Sequence, residues 1–310
     1  YDRRLRDGLA GLGWSVLMAE ASDGDAVAAA LDGIPRHGTA LVDGLVAAWN
    51  PDAIAAAAER ARVVVLAHMV AGAFQGADAE SIDGERRSLG HATRVIATSN
   101  WTAAELVRRG IVDEQRIAVA PPGSVGGPLA RGTAGDWLCV GAVAAHKGQD
   151  LLLDALDELR DLPWTCTLAG SLAADRPFAE RAAERAAAFG PRVRMTGVLR
   201  PGALARAYRS AGLLVAPSRT ESFGMAIADA QRRGLPVIAA AVGGIPEAVS
   251  GGGALLVEPD DAGTLAEALR RWMTDGGLRS RLRAEARLAR RRAPRWTDTV
   301  ARVDSLLEAA

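Results

Sequence analysis

Cysteine is nearly absent from this chain. Cys139 and Cys166 are the only two in 310 residues, and each lies inside a short apolar run that reads as a buried strand. That excludes a disulfide-stapled scaffold, and a reducing, cytoplasmic setting is expected. Excess charge is absent as well. Lys and Arg together number 37 and so do Asp and Glu, so the balance points neither to nucleic acid nor to electrostatic anchoring on a membrane. No apolar run approaches the ~20 residues of a membrane span, and no secretory leader is visible. There is no Gly-x-Ser-x-Gly nucleophile, no P-loop and no period of the kind that builds solenoids or propellers.

What is present is an apolar content of 49%, enough for two cores of ordinary size. Short β-branched runs alternate with Ala-rich helical segments throughout, the pattern of parallel sheets covered by helices. Strands are expected at Trp14–Ala19, Thr39–Val42, Arg62–Ala67, Arg94–Thr98 and Ile117–Ala120. A second series is expected at Trp137–Val140, Cys166–Ala169, Val193–Thr196, Leu213–Ala216, Val237–Ala240 and Leu255–Val257. Between the two series, Pro121-Pro122-Gly123 and the Gly-rich stretch to about Gly135 read as a linker. Asn50-Pro51 reads as a helix start with a capping side chain, and Gly110 as a stop. Helices close the chain at Thr264–Thr274, Leu278–Arg291 and Thr297–Leu307. Tyr1–Leu12 already reads as a helix, and an α/β domain ordinarily enters one from a strand and a loop. The chain is therefore expected to begin after residues that have been removed or omitted.

Two segments carry chemistry. Pro217–Ala241 places Glu221 in a loop before a helix and Asp229 eight positions on, a span of about 12 Å along a helix. The amides of Phe223, Gly224 and Met225 are expected to form the free helix N-terminus, which suits a diphosphate. Ligands of open α/β sheets bind beyond the C-terminal strand ends, where this loop lies. The second segment, Gly141-Ala142-Val143-Ala144-Ala145-His146-Lys147-Gly148, follows the strand Trp137–Val140 and precedes a helix. Taken singly, each has a plainer reading: Glu221 as a cap, Asp229 as a surface acid, Lys147 as a loop lysine. Gly243-Gly244, before Ile245-Pro246-Glu247, reads as a turn.

Together these segments resemble the retaining glycosyltransferases of family 4, over nearly the whole chain. The resemblance implies a GT-B protein: two Rossmann-like parallel-sheet domains facing across a cleft. The boundaries would be 1–125 on the acceptor side, 126–295 for the nucleotide sugar, and 296–310 as a terminal helix crossing back. Within that family the first acid contacts donor-sugar hydroxyls and the second the ribose, which assigns those roles to Glu221 and Asp229. Asp stands here where relatives carry Glu, shortening the arm by some 1.5 Å. Lys147 would neutralise the leaving diphosphate, with Gly141 and His146 in the same clamp. Ala142 takes the place of an Arg found in many relatives, and His146, titrating near neutrality, is a candidate replacement charge. Ser222, Phe223, Gly224 and Met225 would line the donor, and the backbone of Val198 and Leu199 would meet the base.

On the N-terminal side, the resemblance sets His68 in the active site as an orienting residue. Ser99 or Asn100 would cap a helix or touch the acceptor. His, Cys and carboxylates do not cluster at ligand spacing, and relatives do without a metal, so neither metal nor cofactor is expected. The implied function is transfer of a sugar from a nucleoside-diphosphate sugar to an acceptor hydroxyl with retained configuration. Two alternatives stay open: another GT-B enzyme, such as an epimerase or phosphorylase, and a non-catalytic nucleotide-sugar-binding protein.

Overall fold

The computed structural model describes residues 1–21, 23–74 and 76–309. They divide into two compact units, Tyr1–Gly123 with Pro294–Ala310, and Ser124–Ala293. The first unit runs α1 (Asp2–Gly11), α2 (Gly24–Asp32), β1 (Thr39–Asp43), α3 (Gly44–Trp49), α4 (Pro51–Ala58), β2 (Arg62–Ala67), α5 (Ala79–His91), β3 (Arg94–Ala97), α6 (Asn100–Arg108) and β4 (Ile117–Val119). The second runs β5 (Asp136–Val140), α7 (Gln149–Asp157), β6 (Thr165–Ala169), α8 (Arg176–Ala187), β7 (Val193–Met195), α9 (Pro201–Ser210), β8 (Leu213–Ala216), α10 (Met225–Gln231), β9 (Val237–Ala240), α11 (Ile245–Ala248), β10 (Ala254–Val257), α12 (Ala262–Thr274) and α13 (Gly276–Arg292). The last helix, α14 (Trp296–Glu308), belongs to the first unit.

Each unit is a parallel sheet with helices on both faces. In the first, the order is β1-β2-β3-β4, and β2 shows why the apolar run has no polar alternation. Successive side chains of a strand point to opposite faces. Val63, Val65 and Ala67 accordingly join the core beneath α2 to α6, while Val64 and Leu66 join Leu5 and Leu9 of α1 and Val300, Val303, Leu306 and Leu307 of α14. Both faces are dry, so every position after Arg62 is apolar. Acidic or hydroxyl caps start several helices: Asp43 accepts from the amides of Leu45 and Val46, Asp78 from Ser81, Asp261 from Thr264 and Asp275 from Leu278.

Two local expectations fail. Trp14–Ala19 is not a strand: these residues pair with neither edge of the sheet β1-β2-β3-β4. Leu17 is 97% exposed, and the Trp14 indole instead donates to Asp304 of α14 at 2.7 Å. Asn50 does precede α4 with Pro51 in its first turn, yet its side chain makes no cap. Its amide donates back to the carbonyl of Val46 in the middle of α3, one turn before the residue where the two helices meet.

The second sheet has the order β10-β9-β8-β5-β6-β7. From β5 the chain moves outward through β6 and β7, then returns to the other side of β5 with β8, β9 and β10. The reversal sets β5 and β8 side by side at the centre, with Trp137 opposite Leu213 and Leu138 opposite Leu214. Such a switch point opens a crevice at the C-terminal strand ends, because the loops after the two strands leave in opposite directions. One face packs Trp137, Cys139, Val215 and Ile238 under α7, α8 and α12, and the other packs Leu138, Leu214 and Ala239 against α9 and α10. Cys139 and Cys166 are both free and buried in adjacent strands.

Candidate functional site

The loops leaving β5 and β8 are the two that carry Lys147 and Glu221, and they meet at the switch point of the second unit. Lys147 lies in a single 3₁₀ turn, Ala145–Lys147, closed by Gly148 in the left-handed region at φ 68°. A Cβ on Gly148 would stand 2.1 Å from the carbonyl of Pro217, so only glycine lets the two loops approach this closely. Across the gap, Lys147 Nζ lies 2.6 Å from Glu221 Oε2, with both side chains mostly shielded. Gly243 and Gly244 perform the same service from the next loop. The Gly244 amide donates to the carbonyl of Glu221 at 2.9 Å, and a Cβ on Gly243, at φ 55°, would meet that oxygen at 1.8 Å. The turn is thus structural, and what it shapes is the backbone that carries Glu221.

Other residues hold this arrangement. Gln149, 1% exposed, donates to the carbonyl of Ala142 at 2.9 Å and so fixes the start of the Lys147 loop. Arg219 presents its fork to both oxygens of Asp150, at 2.8 and 2.9 Å, and its Nε to Asp260 at 2.6 Å. That guanidinium holds the Asp150 carboxyl below its usual range, against the opposing effect of burial. Neither residue was anticipated from sequence. Another signal was present but unused: among 37 lysines and arginines, Lys147 is the one lysine. Its stem lies against Gly141, and its ammonium is a compact point charge rather than a planar fork.

The remaining donor-side residues fall into groups. Ser222 and Phe223 are buried beneath the Glu221 loop, and Met225 is exposed. Helix α10 begins at Met225 with Gly224 as its cap at φ 99°, so the free first-turn amides start at Gly224, and the Phe223 amide lies one residue too early to belong to them. Val198 is 75% exposed beyond β7, and Leu199 is half-buried. His146 sits beside Lys147, but burial and that lysine's charge hold its pKa below the ordinary value. That direction works against His146 as the replacement charge for Ala142. Asp229 is already engaged: its Oδ1 accepts from the Val125 amide at 3.0 Å and lies 3.6 Å from Arg233 Nη1. Burial nonetheless raises its pKa, more than those partners lower it.

In the first unit, His68 follows β2 and is held between two carboxylates, 3.3 Å from Asp43 Oδ2 and 3.5 Å from Asp2 Oδ1, with the Tyr1 ring edge-on at 4.9 Å. Burial works against the charged imidazole, yet the two acids prevail and raise its pKa to about 9. His68 is therefore a cation at neutral pH, and Asp43 is correspondingly held low. A cavity of about 40 Å³ adjoins it, lined by Leu45, Trp49, Met69, Ser81 and Glu85. Asp2, Asp43 and His68 are also the one trio among the described residues with metal-ligand geometry. Sequence spacing concealed it, because the three come from separate segments. Ser99 is fully buried, and its hydroxyl accepts the Thr102 amide as the cap of α6. That removes it from the acceptor-side candidates and leaves the exposed Asn100.

Residues 134–275, which hold both Lys147 and Glu221, match the family model of the glycosyl transferases group 1. That segment is a group 1 glycosyltransferase domain by its match, and the chain has the GT-B fold. Relatives of the chain include a D-inositol 3-phosphate glycosyltransferase of Xylanimonas cellulosilytica, 33% identical over 239 residues that make up 67% of this chain and 55% of the relative. Another, from Nocardioides sp., is 33% identical over 250 residues, 71% of this chain and 54% of the relative. The chain thus spans about half the length of the curated relatives it matches. Among solved GT-B structures, sucrose-phosphate synthase from Thermosynechococcus elongatus superposes with a TM-score of 0.82 at 21% identity, covering 100% of this chain and 92% of that one. Anabaena HepE in complex with UDP-glucose gives 0.74 at 18% identity, covering 92% and 82%. No helix among the described residues is long and apolar enough to cross a membrane.

Proposed function

We propose that this chain is the core of a retaining, metal-independent, cytoplasmic glycosyltransferase that moves a sugar from a nucleoside-diphosphate sugar to an acceptor hydroxyl. The observation that carries this reading is the Lys147–Glu221 pair, 2.6 Å apart at the switch point of a group 1 domain. Without ligand, each charge satisfies the other. With a nucleotide sugar present, Glu221 would turn to the sugar hydroxyls and Lys147 to the diphosphate, where negative charge grows as the glycosidic bond breaks. Amides of Gly224 and Met225 would add donors on the phosphate. Asp229 would reach the ribose, giving up the Val125 amide or sharing it.

In this reaction the bond from the anomeric carbon to the diphosphate oxygen breaks, and a bond to the acceptor oxygen forms on the same face. The acceptor proton passes to the departing diphosphate, so no protein base is needed. Arrangement and electrostatics, rather than covalent chemistry, would supply the rate.

Glu221→Ala and Lys147→Ala should each abolish transfer from a nucleotide sugar, UDP-glucose being the first probe, while leaving the fold intact by circular dichroism. Wild-type turnover in either variant would refute the assignment. Binding of nucleotide sugar without turnover under any acceptor would instead identify a non-catalytic binding protein.

A further inference from the structure

We infer that Arg219 is a positioning residue that sets the separation of Lys147 and Glu221, an inference that rests on the reading of this site as the donor site. Arg219 touches neither charge. It lies two residues before Glu221 and reaches back to the loop that carries Lys147. Its Nη1 donates to the carbonyl of Ala145 at 2.8 Å, and its own backbone amide donates to the carbonyl of His146 at 2.8 Å, joined by the Thr220 amide at 3.2 Å. Both carbonyls belong to the 3₁₀ turn that ends in Lys147. The rest of the guanidinium is fixed by Asp150 in the first turn of α7 and by Asp260 between β10 and α12.

One side chain therefore ties the loops after β5, β8 and β10 into a single frame. Its acceptors are four oxygens on three residues: two on Asp150, one on Asp260 and the carbonyl of Ala145. Five N–H groups in a rigid planar fork can serve all four, whereas the three donors of a lysine radiate from one nitrogen. The position is arginine for that reason, not for charge alone. Reacting groups displaced by about 1 Å can lose on the order of 10²-fold in rate, so a staple of this kind acts on catalysis without meeting substrate.

The test compares wild type with Arg219→Ala, Arg219→Lys and Arg270→Ala. Arg270 makes a similar fork to Asp161 at the far end of α7 and controls for the loss of a surface ion pair. Amide hydrogen exchange of residues 142–148 is measured first, then UDP release from UDP-glucose. Both Arg219 variants should exchange at least ~10-fold faster in this segment and lose about 10²-fold in kcat with little change in donor KM, while Arg270→Ala matches wild type in both. Unchanged exchange in Arg219→Ala, or full rescue by Arg219→Lys, would overturn the inference. Wild-type protein that neither binds nor consumes any of UDP-glucose, GDP-mannose and ADP-glucose would sink the reading of the site, and the exchange data would still decide the staple.

Discussion

His68 offers a prediction whose magnitude follows from the structure. Its pKa is raised from 6.5 to about 9 because the carboxylates of Asp2 and Asp43 face Nε2 and outweigh burial. A difference of about 2.5 units at 1.36 kcal/mol each amounts to roughly 3 kcal/mol of preference for the protonated fold. The folded state binds this proton more tightly than the unfolded chain does. The stabilisation is therefore complete below about pH 6.5 and is lost as pH rises through about 9. Two measurements check it. The chain has only four histidines, so the His68 ring proton can be assigned by comparison with His68→Asn and titrated by NMR. Denaturant unfolding of the first unit at pH 6.5 and pH 10 should differ by on the order of 3 kcal/mol in wild type, and by much less in His68→Asn. A ring titrating at or below 6.5, or an equal pH dependence in the variant, would refute the reasoning.

Other consequences are nearer the candidate donor site. Gly243→Ala forces a Cβ to within 1.8 Å of the Glu221 carbonyl at a positive φ, so it should destabilise by more than about 2 kcal/mol in thermal unfolding and reduce nucleotide-sugar turnover. Asp229→Ala strands the Val125 amide and the buried Arg233, a cost of about 1–3 kcal/mol measurable by denaturant titration before any ligand is added. Lys147→Arg keeps the charge but replaces the compact ammonium facing Glu221 with a longer planar fork, and it should lower transfer by about 10²-fold; activity near wild type would show that only the charge matters. His146 should titrate below 6.5 by NMR, and its pKa should rise in Lys147→Ala, because that lysine is one of the causes of the shift.

How much of this was legible beforehand depends on the range of the interaction. Strands such as Arg62–Ala67 and Leu213–Ala216 could be read at once, because burial on both faces writes an unbroken apolar run. Trp14–Ala19 has similar composition and was misread, since a strand also needs a neighbour and composition does not supply one. Glu221 and Lys147 stood out by motif, but their contact joins residues 74 apart. The Arg219 frame was invisible for the same reason, its partners lying 69 and 41 positions away. His68 was legible as a strand-end histidine, whereas its protonation depends on Asp2 and Asp43, which only the fold brings to it. Asp229 was read from its helical spacing, which does not reveal that Val125 and Arg233 already claim it.

The most direct test of the central claim uses the single lysine. Selective ¹³C labelling of lysine places one Cε signal in the spectrum, that of Lys147, and UDP-glucose, GDP-mannose and ADP-glucose are titrated against it in turn. A donor site predicts a saturable shift with at least one nucleotide sugar and with its nucleoside diphosphate, and none with the free sugar. A Lys147 signal that ignores all three nucleotide sugars at millimolar concentration would contradict the account.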